Sequence, residues 1–328
     1  MSKISIFGAG AWGTTLSILA AENRHSVTIW SYEEDVAKSI NELRENKKYL
    51  NGFQLPQSID STTDLKKAAS SEIIIFATPS QYLRETLRNM ARFVKKEAVI
   101  MSAAKGLEIE TQKRMSVVIK EELPCEKIAV ISGPNISKEI ARGLPAATVA
   151  ASTDMGTAKF AQQILNSSRF RVYTNTDVIG VELGGALKNV IAIAAGVADG
   201  LMLGNNAKSA LMVRGIAEIT RLGVALGGKT ETFNGLSGIG DLLTTCSSTL
   251  SRNHQVGMEI AKGRRLNDII TKMYDVAEGV PTAKAARDLS RKMKIEMPIT
   301  EEVYSVLYEG KDPFKAISSL MQRELKNE

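Results

Sequence analysis

The sequence predicts an α/β protein in which a doubly wound parallel sheet is followed by an all-helical domain. Three observations carry that expectation. Short Ile- and Val-rich runs alternate with helical stretches through the first half. A glycine-rich turn joins the first strand to the first helix. After about Asp177 the strand signals vanish and Ala-, Leu- and Met-containing stretches take over. The chain therefore divides into residues 1–177 and residues 178–328, and with no low-complexity linker between them the two parts should pack together.

Lys3–Phe7, Val27–Trp30, Glu72–Ala77, Ala98–Ser102 and Lys127–Ser132 read as strands. They are mostly apolar without clean alternation, as strands covered on both faces by helices are. Ala147–Ala151 and Phe170–Tyr173 extend the sheet before the rhythm stops. Helices fall between the strands, at Thr14–Glu22, Tyr82–Phe93 and Thr111–Glu122. The strand–helix–strand order implies parallel, right-handed crossovers. In the second half, Gly227–Gly228, Gly235 to Gly240, Gly279 to Pro281 and Pro298 punctuate the helices. Thr300 is placed to cap the helix after Pro298, with Glu301 and Glu302 at its positive end.

Composition narrows the class. The apolar fraction of 44% and charged fraction of 24% are those of a soluble globular chain. The first residues run straight into a strand, and the longest apolar run, Val190–Ala198, is about half of what a bilayer span requires. A cytoplasmic protein without membrane attachment is expected. The net charge of +6 is spread over single and paired basic residues, with no nucleic-acid-binding module, and suits anionic small ligands. Two cysteines, Cys125 and Cys246, and two histidines make neither a disulfide framework nor a metal-ligand spacing, so no metal is expected.

The strand Lys3–Phe7 runs into Gly8-Ala9-Gly10-Ala11-Trp12-Gly13 and then a helix. Gly8 permits the tight turn, Gly10 a close approach of backbone to a pyrophosphate, and Gly13 the packing of helix on strand. The helix N-terminus adds free N–H groups and partial positive charge. With a second strand about 20 residues on, this is the fingerprint of a Rossmann-type dinucleotide-binding domain. The second strand ends Trp30-Ser31-Tyr32-Glu33-Glu34-Asp35. No acid stands at its tip and no arginine follows to meet a 2′-phosphate. Ser31 and Tyr32 can meet either ribose form, and Glu33 would repel the phosphate. The cofactor is NAD or NADP, with a lean to NAD.

Ligands of such sheets bind beyond the carboxyl ends of the strands. Three loops leave that edge, Thr78-Pro79-Ser80, Ala104-Lys105-Gly106 and Gly133-Pro134-Asn135; Lys105 directly follows a buried strand, and Asn135 is placed to cap a helix starting near Ile136. In the second half, Gly184 and Gly185 interrupt a helix at a cost of about 1 kcal/mol each relative to Ala, which points to a close approach. Lys188 opens a buried apolar run, where desolvation makes an amine a usable proton donor or acceptor. Asp241 and Thr245 fall one helical turn apart on one face. Ser251-Arg252-Asn253 gathers donors suited to a phosphate. Taken singly, each has an ordinary explanation as surface or cap.

Together, the glycine turn, Ala104-Lys105-Gly106-Leu107-Glu108, Ile131-Ser132-Gly133-Pro134, Gly184-Gly185-Ala186-Leu187-Lys188-Asn189-Val190, Gly238-Ile239-Gly240-Asp241-Leu242, Ser251-Arg252-Asn253 and Val276-Ala277-Glu278-Gly279 resemble the bacterial NAD(P)-dependent glycerol-3-phosphate dehydrogenase family over essentially the whole chain. The resemblance implies reversible reduction of dihydroxyacetone phosphate to sn-glycerol 3-phosphate for phospholipid synthesis, by a homodimer. It implies that Lys188 is the proton donor or acceptor and that Lys105 contacts both substrate and cofactor. Gly133, Asn135, Asp241, Ser251, Arg252 and Asn253 would line the substrate site, and Asp241 with Thr245 would hold Lys188. Ala11, Trp12, Ser137, Arg252, Val276 and Glu278 match cofactor-contacting positions, although Ala11, Asn135 and Ser137 depart from the family's usual residues. The competing expectations are a dehydrogenase of a β-hydroxyacid or ketopantoate-like substrate, with a carboxylate at Arg252, and a nucleotide-sensing module without chemistry.

Overall fold

The computed structural model describes residues 2–325. In chain order the first part contains β1 (Lys3–Phe7), α1 (Ala11–Glu22), β2 (Ser26–Trp30), α2 (Glu34–Leu43), β3 (Ile59–Thr62), α3 (Leu65–Ala69), β4 (Ile73–Phe76), α4 (Ser80–Met90), β5 (Val99–Ser102), α5 (Met115–Glu122), β6 (Ile128–Ser132), α6 (Ser137–Ala141), β7 (Ala146–Ala151), α7 (Met155–Leu165) and β8 (Phe170–Asn175). The strands form one sheet in the order β3-β2-β1-β4-β5-β6-β7-β8. Both faces are buried. Ile4, Ile6, Ile73 and Ile75 pack with Leu16 and Leu19 of α1 on one side. Phe7, Ile74 and Phe76 pack with Leu83 and Leu87 of α4 on the other. Two-sided burial is why these strands lack an alternating pattern.

Three differences from the expected elements, two of them in the sheet, have physical causes. An edge strand, β3, pairs with β2 although Ile59-Asp60-Ser61-Thr62 carries a single large apolar residue; an edge position buries less and needs less. The sheet is not parallel throughout, because β7 runs antiparallel to β6 and β8 follows β7. The helix expected over Thr111–Glu122 begins only at Met115. Thr111 and Lys113 instead serve a turn on Glu108, whose amide donates to the Lys113 carbonyl (3.0 Å) and whose carboxylate accepts from the Thr111 hydroxyl.

The second part is helical: α8 (Val178–Gly200), α9 (Gly204–Ala225), α10 (Thr230–Phe233), α11 (Asp241–Ser247), α12 (Arg252–Ala261), α13 (Leu266–Ile270), α14 (Gly279–Met293), α15 (Pro298–Tyr308) and α16 (Pro313–Met321). Asp177 starts α8, accepting from the Gly180 amide (2.8 Å). Helix α8 is long and apolar enough to cross a membrane, but its most apolar window is 78% buried inside the protein, so it is the axis of the helical core. Around it pack Val256 and Ile260 of α12, Ile219 and Leu222 of α9, and Val280 and Ala283 of α14. Its first turns also meet the sheet, where Val181 packs on Val130, Val149 and Ala151. Thr300 does not cap α15: Pro298 is already inside the helix, and the amides of Ile299 and Thr300 donate to buried Glu218 of α9 (2.7 and 3.3 Å).

Candidate active site

The cofactor end is built from the turn after β1. Gly8 has φ +109°, and a Cβ there would meet the Ala77 and Thr78 backbone at 2.8–2.9 Å, so only glycine fits. A Cβ on Gly13 would fall 1.9 Å from the Gly8 carbonyl oxygen. Above Gly10 the space is open, with Asp275 Oδ1 the nearest atom at 3.9 Å from such a Cβ. Ala11 and Trp12 open α1, whose N-terminal amides point into that space, and the Trp12 indole N–H is buried there with no partner among the described residues. An open cradle of amides at a helix N-terminus fits a dinucleotide pyrophosphate. Ser137 begins α6, and its carbonyl accepts from Thr15 of α1 (3.3 Å). Ser31 is turned inward on the Glu33 backbone, while Tyr32 is 87% exposed.

The chemical centre lies where the two parts meet. Lys105, from the loop after β5, donates to the Gly133 carbonyl (2.9 Å) and to Asp241 Oδ2 (2.7 Å). Lys188 of α8 donates to Asp241 Oδ1 and to the Thr245 hydroxyl. Two amines from opposite parts of the fold thus share one buried carboxylate. Gly184 and Gly185 permit this. A Cβ on Gly184 would fall 2.5 Å from the Ser237 carbonyl oxygen, and one on Gly185 would fall 2.3 Å from Ser132 Oγ. A π-helical turn, Leu236–Gly240, precedes Asp241 and aims it at α8. Burial pushes Lys188 down to about 8; Asp241 opposes that shift and the like charge of Lys105 adds to it. Cys246 is a packing residue, fully buried, with its thiol pushed up to about 12 by burial.

Asn135 is not a helix cap. Helix α6 starts two residues later behind Ile136, and the Asn135 amide bonds β7 instead, donating to the Ala147 carbonyl (3.1 Å) and accepting from Thr148 Oγ1 (2.9 Å). Ser251 caps α12 by accepting from the His254 amide (3.3 Å). Arg252 is half exposed, and its guanidinium lies 3.4 Å from Asp275. Asn253 is buried; it donates to Asn189 Oδ1 (2.9 Å) and accepts from the Gly279 amide (2.8 Å). Glu278 is partly buried and grips Ser80, accepting from its amide (2.8 Å) and its hydroxyl (2.5 Å). Its carboxyl is raised by burial, against the pull of Ser80 and Arg252. Val276 sits half exposed on the segment leading to Glu278.

Asp275 was not singled out from the sequence, and Ser80 and Asn189 were noticed there without being given a role. Asn189 was legible beside Lys188, as a second polar residue at the head of an apolar run. Asp275 carries no local signal; it belongs here only because a segment of the helical part lies across the glycine turn.

Residues 3–158 match the model described as NAD-dependent glycerol-3-phosphate dehydrogenase N-terminus, and residues 177–318 match the corresponding C-terminus. The chain belongs to this family. Within the glycerol-3-phosphate dehydrogenase family, a relative from Syntrophotalea carbinolica named glycerol-3-phosphate dehydrogenase [NAD(P)+] is 46% identical over 330 residues, 99% of each chain. A glycerol-3-phosphate dehydrogenase structure from Coxiella burnetii superposes with a TM-score of 0.95 at 36% identity, covering 98% of this chain and 99% of that one. A ketopantoate reductase structure from Ralstonia eutropha reaches a TM-score of 0.61 at 14% identity over 96% of this chain and 99% of that one, a likeness of fold alone. The ketopantoate-like alternative is thereby reduced to a distant relation.

Proposed function

We propose that the cleft between residues 1–177 and 178–328 reversibly reduces dihydroxyacetone phosphate to sn-glycerol 3-phosphate with NADH or NADPH, supplying glycerophospholipid synthesis. The observation that carries this reading is the Asp241 carboxylate shared by Lys105 and Lys188. The bound nicotinamide supplies the hydride in one direction and accepts it in the other. Lys188 donates its proton to the substrate ketone oxygen during reduction and, as the neutral amine, takes the hydroxyl proton in the reverse direction. With both amines protonated, the Lys105–Asp241–Lys188 group carries one net positive charge, which meets the negative charge developing on that oxygen. Asp241 and Thr245 fix the Lys188 ammonium, and Lys105 is fixed by Asp241 and the Gly133 carbonyl.

At the other end of the substrate, Arg252 and the amides at the start of α12 receive the phosphate, with Ser251 and Asn253 shaping that helix end. Binding energy far from the reacting carbon then orients it. Asn135 acts through β7, holding the Gly133 loop in place. The reading further includes a homodimer in the cytoplasm, with no nucleic-acid or membrane partner. The direct test is loss of NADH or NADPH absorbance with dihydroxyacetone phosphate, beside unphosphorylated and carboxylate analogues. Turnover of the phosphorylated ketone alone is expected; equal turnover of a carboxylate analogue would reject the phosphate assignment.

A further inference from the structure

We propose that Glu33 sets the cofactor preference, selecting the dinucleotide with a free adenosine 2′-hydroxyl, NADH, over its 2′-phosphorylated counterpart, NADPH. The inference rests on the dinucleotide reading above, and what the structure adds to the lean toward NAD is the framework that holds Glu33 beside the phosphate cradle.

The position of Glu33 is fixed relative to the glycine turn by an unbroken series of hydrogen bonds. The Gly8 amide donates to the Trp30 carbonyl at the end of β2 (3.1 Å), so the chain leaving β2 emerges beside the phosphate cradle. The Ser31 hydroxyl donates to the Glu33 carbonyl (2.8 Å) and accepts from the Glu33 amide (3.2 Å), which folds the segment into a tight turn. The Glu33 carboxylate then accepts from the Tyr49 hydroxyl (2.6 Å) and from Lys48. Tyr49 is held in turn: its amide donates to Asn46 Oδ1 (3.1 Å), and the Asn46 amide group donates to the Ala9 carbonyl (2.7 Å) and to Thr14 Oγ1 (2.8 Å). Asn46 is fully buried. Ala9 lies inside the glycine turn and Thr14 in the first turn of α1, so one rigid framework carries both the pyrophosphate cradle and Glu33.

In a doubly wound sheet the adenosine ribose lies next to the end of the second strand. A carboxylate there can accept from ribose hydroxyls. A 2′-phosphate instead brings about 1.5–2 negative charges and no donor to the same place. Glu34 and Asp35 follow at once and add like charge, and no arginine occurs between residues 31 and 35. The nearby cation, Lys48, is already engaged by Glu33, as is the Tyr49 hydroxyl. A surface ion pair that merely braced the start of α2 would leave cofactor choice untouched, and that difference is measurable.

The test uses the full-length protein. Steady-state kcat/KM is measured for NADH and NADPH with dihydroxyacetone phosphate in wild type, Glu33→Gln and Tyr49→Phe. Wild type is expected to favour NADH by at least about ten-fold. Glu33→Gln should narrow the ratio by about ten-fold, chiefly through better use of NADPH, and Tyr49→Phe should move it the same way by less. A wild type that prefers NADPH, or a Glu33→Gln ratio within about two-fold of wild type, would overturn the proposal. Quenching of Trp12 and Trp30 fluorescence on titration with either dinucleotide reads the same preference without substrate. Inactivity toward dihydroxyacetone phosphate would then reject the reaction, while the binding ratio would still decide the role of Glu33.

Discussion

An amine as dry as that of Lys188 titrates where an enzyme can use it, provided a counter-charge keeps it protonated part of the time. Asp241 is that counter-charge, and the balance leaves Lys188 at about 8. Ketone reduction needs the ammonium, so its rate should fall as pH rises through about 8; oxidation of the alcohol needs the free amine and should rise over the same window. A profile flat between about pH 6 and 9 in both directions would remove Lys188 from the proton step. Lys188→Ala should lower kcat by at least about a hundred-fold while dinucleotide still quenches tryptophan fluorescence. Arg252→Ala should raise KM for the phosphorylated substrate by about ten- to a hundred-fold, the worth of one charge-assisted hydrogen bond, with a smaller effect on kcat. The importance of Lys188 was legible because a lysine at the head of an apolar run is costly. Its partner was legible only through the family resemblance, since Asp241 lies 53 residues away and only the packing of α11 on α8 brings them together. Asn135 shows the converse. As a cap it satisfied every local rule, and it was taken instead by a strand the local sequence does not contain.

At the level of elements, glycines inside α8 carry the close approach on which the site depends. Gly184→Ala gains about 1 kcal/mol of helix propensity but drives a methyl group against the Ser237 carbonyl, an overpacking cost of about 1–3 kcal/mol. Urea denaturation should show a lower midpoint, and kcat should fall because the strained π-helical turn is the one that aims Asp241. Helix α15 supplies a second test. Burial raises the Glu218 carboxyl to about 7, above its unfolded value, so the folded protein holds a proton that the unfolded chain has released. That contribution to stability is complete at low pH and is lost as pH rises from about 4.5 through about 7. The fall in urea midpoint between pH 5 and pH 8 should be smaller in Glu218→Gln than in wild type. Strands buried on both faces were readable from composition alone, as was the change to helices after β8. The edge strand β3 and the direction of β7 were not, because a short polar edge has no hydrophobic pattern and strand direction depends on loops rather than on the strand's residues.

Across the whole molecule, the two parts are joined by partly buried polar grips as well as by apolar contact. Glu278 holds Ser80, Glu182 holds Arg114 and the Ser116 amide (2.8 Å), and Asp241 holds Lys105. Thermal unfolding should therefore follow a single transition by fluorescence and by circular dichroism, and a dinucleotide at about a hundred times its Kd should add about 2.7 kcal/mol of stability. Glu278→Ala should separate the two probes' transitions; coincident curves in that variant would show that the Ser80 grip does not couple the parts. The reversal of β7 has a consequence at this scale. Because β7 and β8 run against β1 to β6, the chain leaves Asn175 at the edge of the sheet remote from the ligand crevice. Helix α8 must then travel back along the sheet, passing Val130 with Val181 and Ser132 with Gly185. Ten residues at about 1.5 Å each carry it about 15 Å, roughly the length of a five-residue strand, and that is where Lys188 stands. Had the last two strands run with the others, the same helix would have started at the crevice and borne its lysine away from it. One backward strand pair works as a ruler, measuring out helix until the amine reaches the ketone.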